Sequence, residues 1–151
     1  MQTFVPEILQ QVNDAKTKAE RIRLLEQNNI RPIRNMLALN FDKNLELDVP
    51  EGAPPFTRDE KEPIGLSNAS LFVIGRRLAR ILKSDPLNKT RKEQLYIQIL
   101  EGIHWQEADL LNLVKDRKLN DSYPNITREI VRKAFPTLLS DVQPNQFTKE
   151  K

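Results

Sequence analysis

Cysteine is absent from this 151-residue chain, and histidine and tryptophan occur once each. Without cysteine there is no disulfide, no thiolate nucleophile and no thiolate-bound metal, a composition suited to a reducing compartment. His104 alone cannot make a zinc site, and no acidic partner stands in a pattern that would poise it for catalysis. It precedes Trp105 at a predicted helix start, where a structural role is expected. The four glycines fall in no phosphate-cradling pattern. Asp48, Glu51, Asp59, Glu60 and Glu62 lack the spacing of a calcium loop. No apolar run approaches the roughly 18 residues of a membrane span. The start, MQTFVPEILQQ, has neither the cationic opening nor the apolar core of a signal peptide. These absences predict a non-catalytic, cytoplasmic protein with no metal, no cofactor, no membrane contact and no evident small-molecule substrate.

What is present is charge and helical periodicity. Apolar residues make up 38% and charged residues 30%, which favours a solvated, helix-rich single domain. The charge is uneven. Residues 1–74 hold 9 Lys/Arg against 11 Asp/Glu, whereas residues 75–133 hold 13 against 8. A basic second half points to an anionic partner, although such an excess is also common on protein surfaces.

The periodicity predicts an all-α bundle of about seven short helices. Phe4, Val5, Ile8, Leu9 and Val12 mark the first, with Pro6 in its first turn. Thr17 and Glu20 have capping-box spacing and open the second, lined by Ile22, Leu24 and Leu25. Pro32 sits in the first turn of the third, whose stripe is Ile33, Met36, Leu37 and Phe41. From Asp42 to Leu66 the pattern breaks into a long Pro-rich loop. Leu45, Leu47 and Val49 alternate there as a short extended segment would, before Pro50, Pro54, Pro55 and Pro63. This loop is either a surface excursion between two halves of the core or a partner-binding arm. Ser67 or Asn68 is placed to cap a fourth helix with Leu71, Phe72, Ile74, Leu78, Ile81 and Leu82 on its apolar face. Arg76, Arg80 and Lys83, at i, i+4 and i+7, make a cationic face on its other side. Thr90 and Glu93 repeat the capping-box spacing for the fifth, with Gly102 as its C-cap. The helical domain is expected to span residues 1–139, and residues 140–151 to form a frayed polar tail.

The centre of the chain is Glu101–Leu139, read as two short helices joined by a basic turn. Thr127 is placed to cap the last helix, and Pro136 stops it near Phe135. Lys115, Arg117, Lys118, Arg128, Arg132 and Lys133 crowd the turn and its flanks. A phosphate near Thr127 would meet helix amides, a hydroxyl and several cations. The same residues also fit an ordinary capped hairpin, its cations neutralised by Asp116, Asp121 and Glu129.

The order of segments resembles the all-helical DNA-binding domain at the front of ATP-dependent DNA ligases, in the compact form found in T-even-type phages. The resemblance rests on EILQQVNDAKTKAERIRLLEQN near the start and on EADLLNLVKDRKL followed by ITREIVRKAFPTLL near the end. The chain also resembles small uncharacterised proteins of T-even-like phages, through Glu101–His104, Val114–Leu119 and Arg132–Pro136. The ligase resemblance implies wrapping of duplex DNA, with Lys115, Arg117, Lys118, Thr127, Arg128 and Arg132 at the DNA-facing turn. Two departures qualify what it implies. The turn commonly carries glycine in ligases and here reads Asn120-Asp121-Ser122-Tyr123-Pro124-Asn125. The adenylating Lys-x-Asp-Gly motif is absent, and there is no room for catalytic domains.

Two functions are therefore expected. The first is a sequence-nonspecific duplex DNA-binding accessory protein in phage replication or repair, acting in the infected host's cytoplasm. The second is an adaptor or inhibitor that engages a phage or host replication, transcription or defence protein. Its surface would be the Pro-rich loop or an apolar patch around Trp105 and Tyr123.

Overall fold

In the computed structural model, which describes residues 4–65, 67 and 69–140, the helical stripes close on one another around a single core. The helices are α1 (Val5–Asp14), α2 (Lys18–Gln27), α3 (Arg31–Phe41), α4 (Gly75–Ile81), α5 (Lys89–Gly102), α6 (Trp105–Lys115) and α7 (Arg128–Ala134). A 3-10 turn at Leu119–Asp121 lies between the last two. The fold is all-α. Among the described residues the β pairing consists of one antiparallel bridge between Leu47 and Leu82. It is flanked by the Lys83 amide on the Glu46 carbonyl and the Asp48 amide on the Ile81 carbonyl, at 2.9 and 2.8 Å.

Among the described residues no helix exceeds 14 residues, so each depends on its neighbours for stability. α2 packs on α7, α3 on α6, α4 on α5, and α1 on both α2 and α6. Val5, Leu9, Val12, Leu25, Ile33 and Leu37 are fully buried from the first half of the chain. Ile99, Leu111, Val114, Ile126 and Val131 meet them from the second. Thr17 caps α2 by accepting from the Glu20 amide at 3.1 Å. Thr127 caps α7 by accepting from the Ile130 amide at 3.4 Å. Phe135 ends α7, one residue before Pro136.

Two helix starts differ from expectation. α4 begins at Gly75, well after Ser67, and Asn68 lies outside the described residues. The intervening backbone is engaged elsewhere. The Ala69 amide donates to the Gly102 carbonyl, the Leu71 amide to the Glu107 carboxylate, and the Val73 amide closes a turn on Ser70. Val73, Ile74 and Gly75 are also poor helix formers. Phe72, expected on the buried face, is exposed. α5 is capped by Asn88, whose side chain accepts from the Arg91 amide at 2.9 Å, so Thr90 sits inside the first turn. Gly102 is the last residue of α5 and Ile103 the cap. Of the expected tail, only Ser140 lies within the described residues.

Candidate functional site

The basic turn between α6 and α7 is built around the end of α3. A helix leaves its last four carbonyls without intrahelical donors, and that end carries the negative pole of the dipole. Arg117 reaches across to this end. Its Nη1 donates to the carbonyls of Leu39, Asn40 and Asp42 at 3.1, 3.3 and 2.9 Å, and its Nη2 to Leu45 at 3.0 Å. To aim there, Arg117 adopts a left-handed φ of 59°, uncommon outside glycine. Arg128 donates to the Phe41 carbonyl, and its guanidinium lies 5.7 Å from the Phe41 ring centroid. The Leu119 amide donates to Asn40 Oδ1 at 2.9 Å. Two arginines thus satisfy the carbonyls that α3 leaves open.

Lys115 is also directed inward. Its side chain is 2% exposed, and Nζ donates to the Pro50 and Gly52 carbonyls and to Asp116 Oδ1, at 2.9, 3.0 and 2.7 Å. Of the six residues expected at a DNA-facing turn, Lys115, Arg117 and Arg128 therefore serve internal carbonyls. Thr127 caps α7. Lys118 is exposed and lies 3.6 Å from Glu51. Arg132 is exposed in the last turn of α7 and has no partner among the described residues. Asp116 accepts from Lys115 and from the Gly52 amide, and Glu129 pairs with Lys18 and Lys133.

The second basic face is on the surface. Arg76, Arg80 and Lys83 are exposed, Lys83 lying just beyond the end of α4. Arg80 pairs with Asp85 at 3.1 Å and Lys83 with Glu46 at 2.8 Å. Arg76 and its neighbour Arg77 have no partner among the described residues.

The loop after α3 is fastened along its length, which no periodicity foretold. Lys92, 1% exposed, donates to Asp48 Oδ2 at 3.1 Å and to the carbonyls of Leu82 and Asp85 at 2.8 and 2.9 Å. The Thr57 amide donates to Glu101 at 2.9 Å. Arg58 makes two hydrogen bonds to Asp109, at 2.9 and 3.2 Å, and sits 5.1 Å from the Trp105 ring centroid. His104 Nε2 donates to the Glu62 carbonyl at 3.0 Å, while its Nδ1 accepts from the Gln106 amide at 3.1 Å. His104 is therefore a structural cap. The Glu107 carboxylate completes this capping box from the His104 amide. Burial pushes the Glu107 carboxyl above its ordinary range, and the Leu71 and His104 amides offset part of that. His at the cap with Glu three residues on was the available sequence signal, obscured because histidine is not a usual capping residue.

The apolar patch expected around Trp105 and Tyr123 is closed. Tyr123 is buried and Trp105 is half-buried beside Arg58. Apolar surface opens elsewhere. Ile64 is 49% exposed, Phe72 36% and Val73 65%. From Gly75 onward an open groove runs between α3 and α4, walled by Leu39, Leu45, Leu47, Leu78, Ala79 and Leu82. Among the described residues, no group of three or more histidine or acidic side chains is placed to hold a metal ion. No helix among them is long and apolar enough to cross a membrane.

Residues 8–121 match DUF6433, a family of unknown function. No curated protein and no solved structure matches the chain. The matched span runs from within α1 to the end of the 3-10 turn, more than half of the molecule, and on that extent the chain belongs to the DUF6433 family.

Proposed function

We propose that this protein is a non-catalytic adaptor that binds another protein, of phage or host replication, transcription or defence, in the cytoplasm of an infected bacterium. One observation carries the reading. Lys115, Arg117 and Arg128 of the α6–α7 turn are spent on the open end of α3 and on the loop, while apolar surface beside α4 is left uncovered. Phe72 at 36% and Val73 at 65% exposure supply that surface, and exposed apolar surface is where a protein partner buries area. The resemblance of its sequence segments to a ligase helical domain supports a place in phage DNA metabolism, by analogy only. The test is affinity capture with the full chain as bait from phage-infected cells, with and without nuclease. Specific capture of a protein that survives nuclease is expected. No captured protein, or capture only through nucleic acid, sinks the reading.

A second reading is kept by Arg76 and Arg77, two exposed arginines without a carboxylate among the described residues. It is sequence-nonspecific binding of duplex DNA, with the contact face on α4 rather than on the turn. Such binding would rest on phosphate neutralisation and fall steeply with salt. Retardation of nicked or intact duplex at low salt, abolished by Arg76→Glu with Arg77→Glu, would favour it over the adaptor.

A further inference from the structure

We propose that the pocket between the Pro-rich loop and α5 seats a lysine or arginine side chain presented by the protein partner. This rests on the adaptor reading and names the chemistry of one contact. The pocket holds about 120 Å³ and is walled by Val49, Pro50, Ala53, Pro54, Tyr96 and Ile97, with Glu51 and Glu93 as its charged lining. Small-molecule sites take about 300–1,000 Å³, so the space here suits a single side chain. A bound calcium ion gathers about six to eight oxygens. No group of three or more histidine or acidic side chains is placed to hold a metal among the described residues. An aliphatic stem laid on apolar walls, with its cation at a carboxylate, is how lysine and arginine bury themselves.

The charge of the pocket is not met from within. Among the described residues no lysine or arginine lines it. Glu93 is exposed and has no partner among the described residues. Glu51 meets Lys118 at 3.6 Å through side chains that are 77% and 52% exposed, a pair that a second cation can share or replace at little cost. The walls, by contrast, are fixed. The buried Lys115 ammonium donates to the Pro50 and Gly52 carbonyls, and Asp116 accepts from the Gly52 amide. The Tyr96 hydroxyl donates to Asn112 Oδ1 at 2.6 Å, and Lys92 holds Asp48, the residue before Val49. Walls already held in place keep the ordering cost of binding low. An acidic side chain would meet like charge there, and a neutral one would gain nothing from either carboxylate, so the complementary occupant is basic.

The full chain, isotope-labelled at nitrogen, would be titrated with N-acetyl-arginine amide and N-acetyl-lysine amide and followed by its amide chemical shifts. N-acetyl-citrulline amide, of arginine's shape without its charge, is the control. Saturable shifts centred on Gly52, Ala53, Glu93 and Ile97 are expected from both cations, with citrulline weaker by about fivefold or more. Glu93→Gln should weaken binding about threefold, and Glu51→Gln with Glu93→Gln about tenfold. Both glutamates are exposed, so these variants keep the fold, checked by circular dichroism. Absence of saturable shifts, shifts centred elsewhere, equal binding of citrulline, or undiminished binding by the double variant overturns the proposal. The capture from infected cells is then repeated with the double variant as bait. Loss of most of the nuclease-resistant partner is expected. A partner retained at the wild-type level defeats the pocket while the adaptor reading stands. Absence of any such partner from the wild-type capture defeats the adaptor reading itself, and this proposal with it.

Discussion

Arg117 concentrates more of this fold than any other side chain in the basic turn. Four backbone carbonyls from the end of α3 and the start of the loop depend on it. Hydrogen bonds from a charged donor contribute about 1.5–3 kcal/mol each when intact, and the effects are not additive. Arg117→Ala should therefore lower unfolding stability by about 3 kcal/mol in urea titrations. Arg117→Lys should recover less than half, because an ammonium cannot span the fork. A loss within error for Arg117→Ala would mean that water serves these carbonyls instead. Glu107 makes a separate prediction. Its carboxyl is raised in the folded protein, chiefly by burial. A raised carboxyl binds its proton more tightly folded than unfolded. Its contribution is complete below the unfolded value, about pH 4.3, and is lost as pH rises through the folded value. Glu107→Gln keeps an acceptor and removes the charge. The Tm difference, variant minus wild type, should thus grow more positive from pH 4 to pH 7. A difference that is flat with pH would exclude this account.

At the scale of elements, the loop after α3 is the least regular and among the most tethered. Lys92 and Lys115 anchor it from α5 and α6, and each leaves a carboxylate behind if removed, Asp48 or Asp116. Breaking a buried pair from one side typically costs about 3–5 kcal/mol. Lys92→Met and Lys115→Met should therefore each destabilise the protein by about 3 kcal/mol. Both should also speed limited proteolysis between residues 43 and 62, with helical circular dichroism kept. Cleavage at the wild-type rate would show that the prolines and Arg58 hold the loop unaided. The helices themselves were largely legible. Proline in the first turn of α1 and α3 and threonine caps on α2 and α7 are local chemistry written in the sequence. The start of α4 was not legible, because the Leu71 amide is taken by Glu107, 36 residues away. A period of apolar residues cannot report that a backbone donor has been claimed by another helix.

At the scale of the whole molecule, ion pairs and capped carboxylates hold distant segments together. Burial alone would raise the Asp42 carboxyl, but hydrogen bonds from Ser140 and Asn44 and the Arg117 charge bring it below its ordinary range. Glu46 is lowered by Lys83, Asp48 by Lys92, Asp85 by the Leu87 amide and Glu129 by Lys18. These contacts join α3 to Ser140, the loop to α4 and α5, and α7 to α2. A carboxyl lowered in the folded state contributes stability above its unfolded value, about pH 4, and loses it as pH falls through the folded value. The Tm by calorimetry should hold above about pH 5 and drop progressively below pH 4. The exposed pairs should weaken further in high salt. A Tm that rises on acidification would show that Glu107 outweighs all five.

The sequence by itself determined the class of the fold and most helix boundaries, because stripes, caps and prolines act within a few residues. It also determined where cations cluster. What those cations do was decided only by tertiary structure. Lys115, Arg117 and Arg128 read as a phosphate-facing set until the end of α3 and the loop are brought beside them. Arg76, Arg80 and Lys83 read as a cationic face and remain on the surface, where the fold pairs Arg80 with Asp85 and Lys83 with Glu46. The physical reason is range. Helix propensity and capping are local, whereas a charge is spent or left free according to which carbonyl or carboxylate the fold carries within about 3 Å of it.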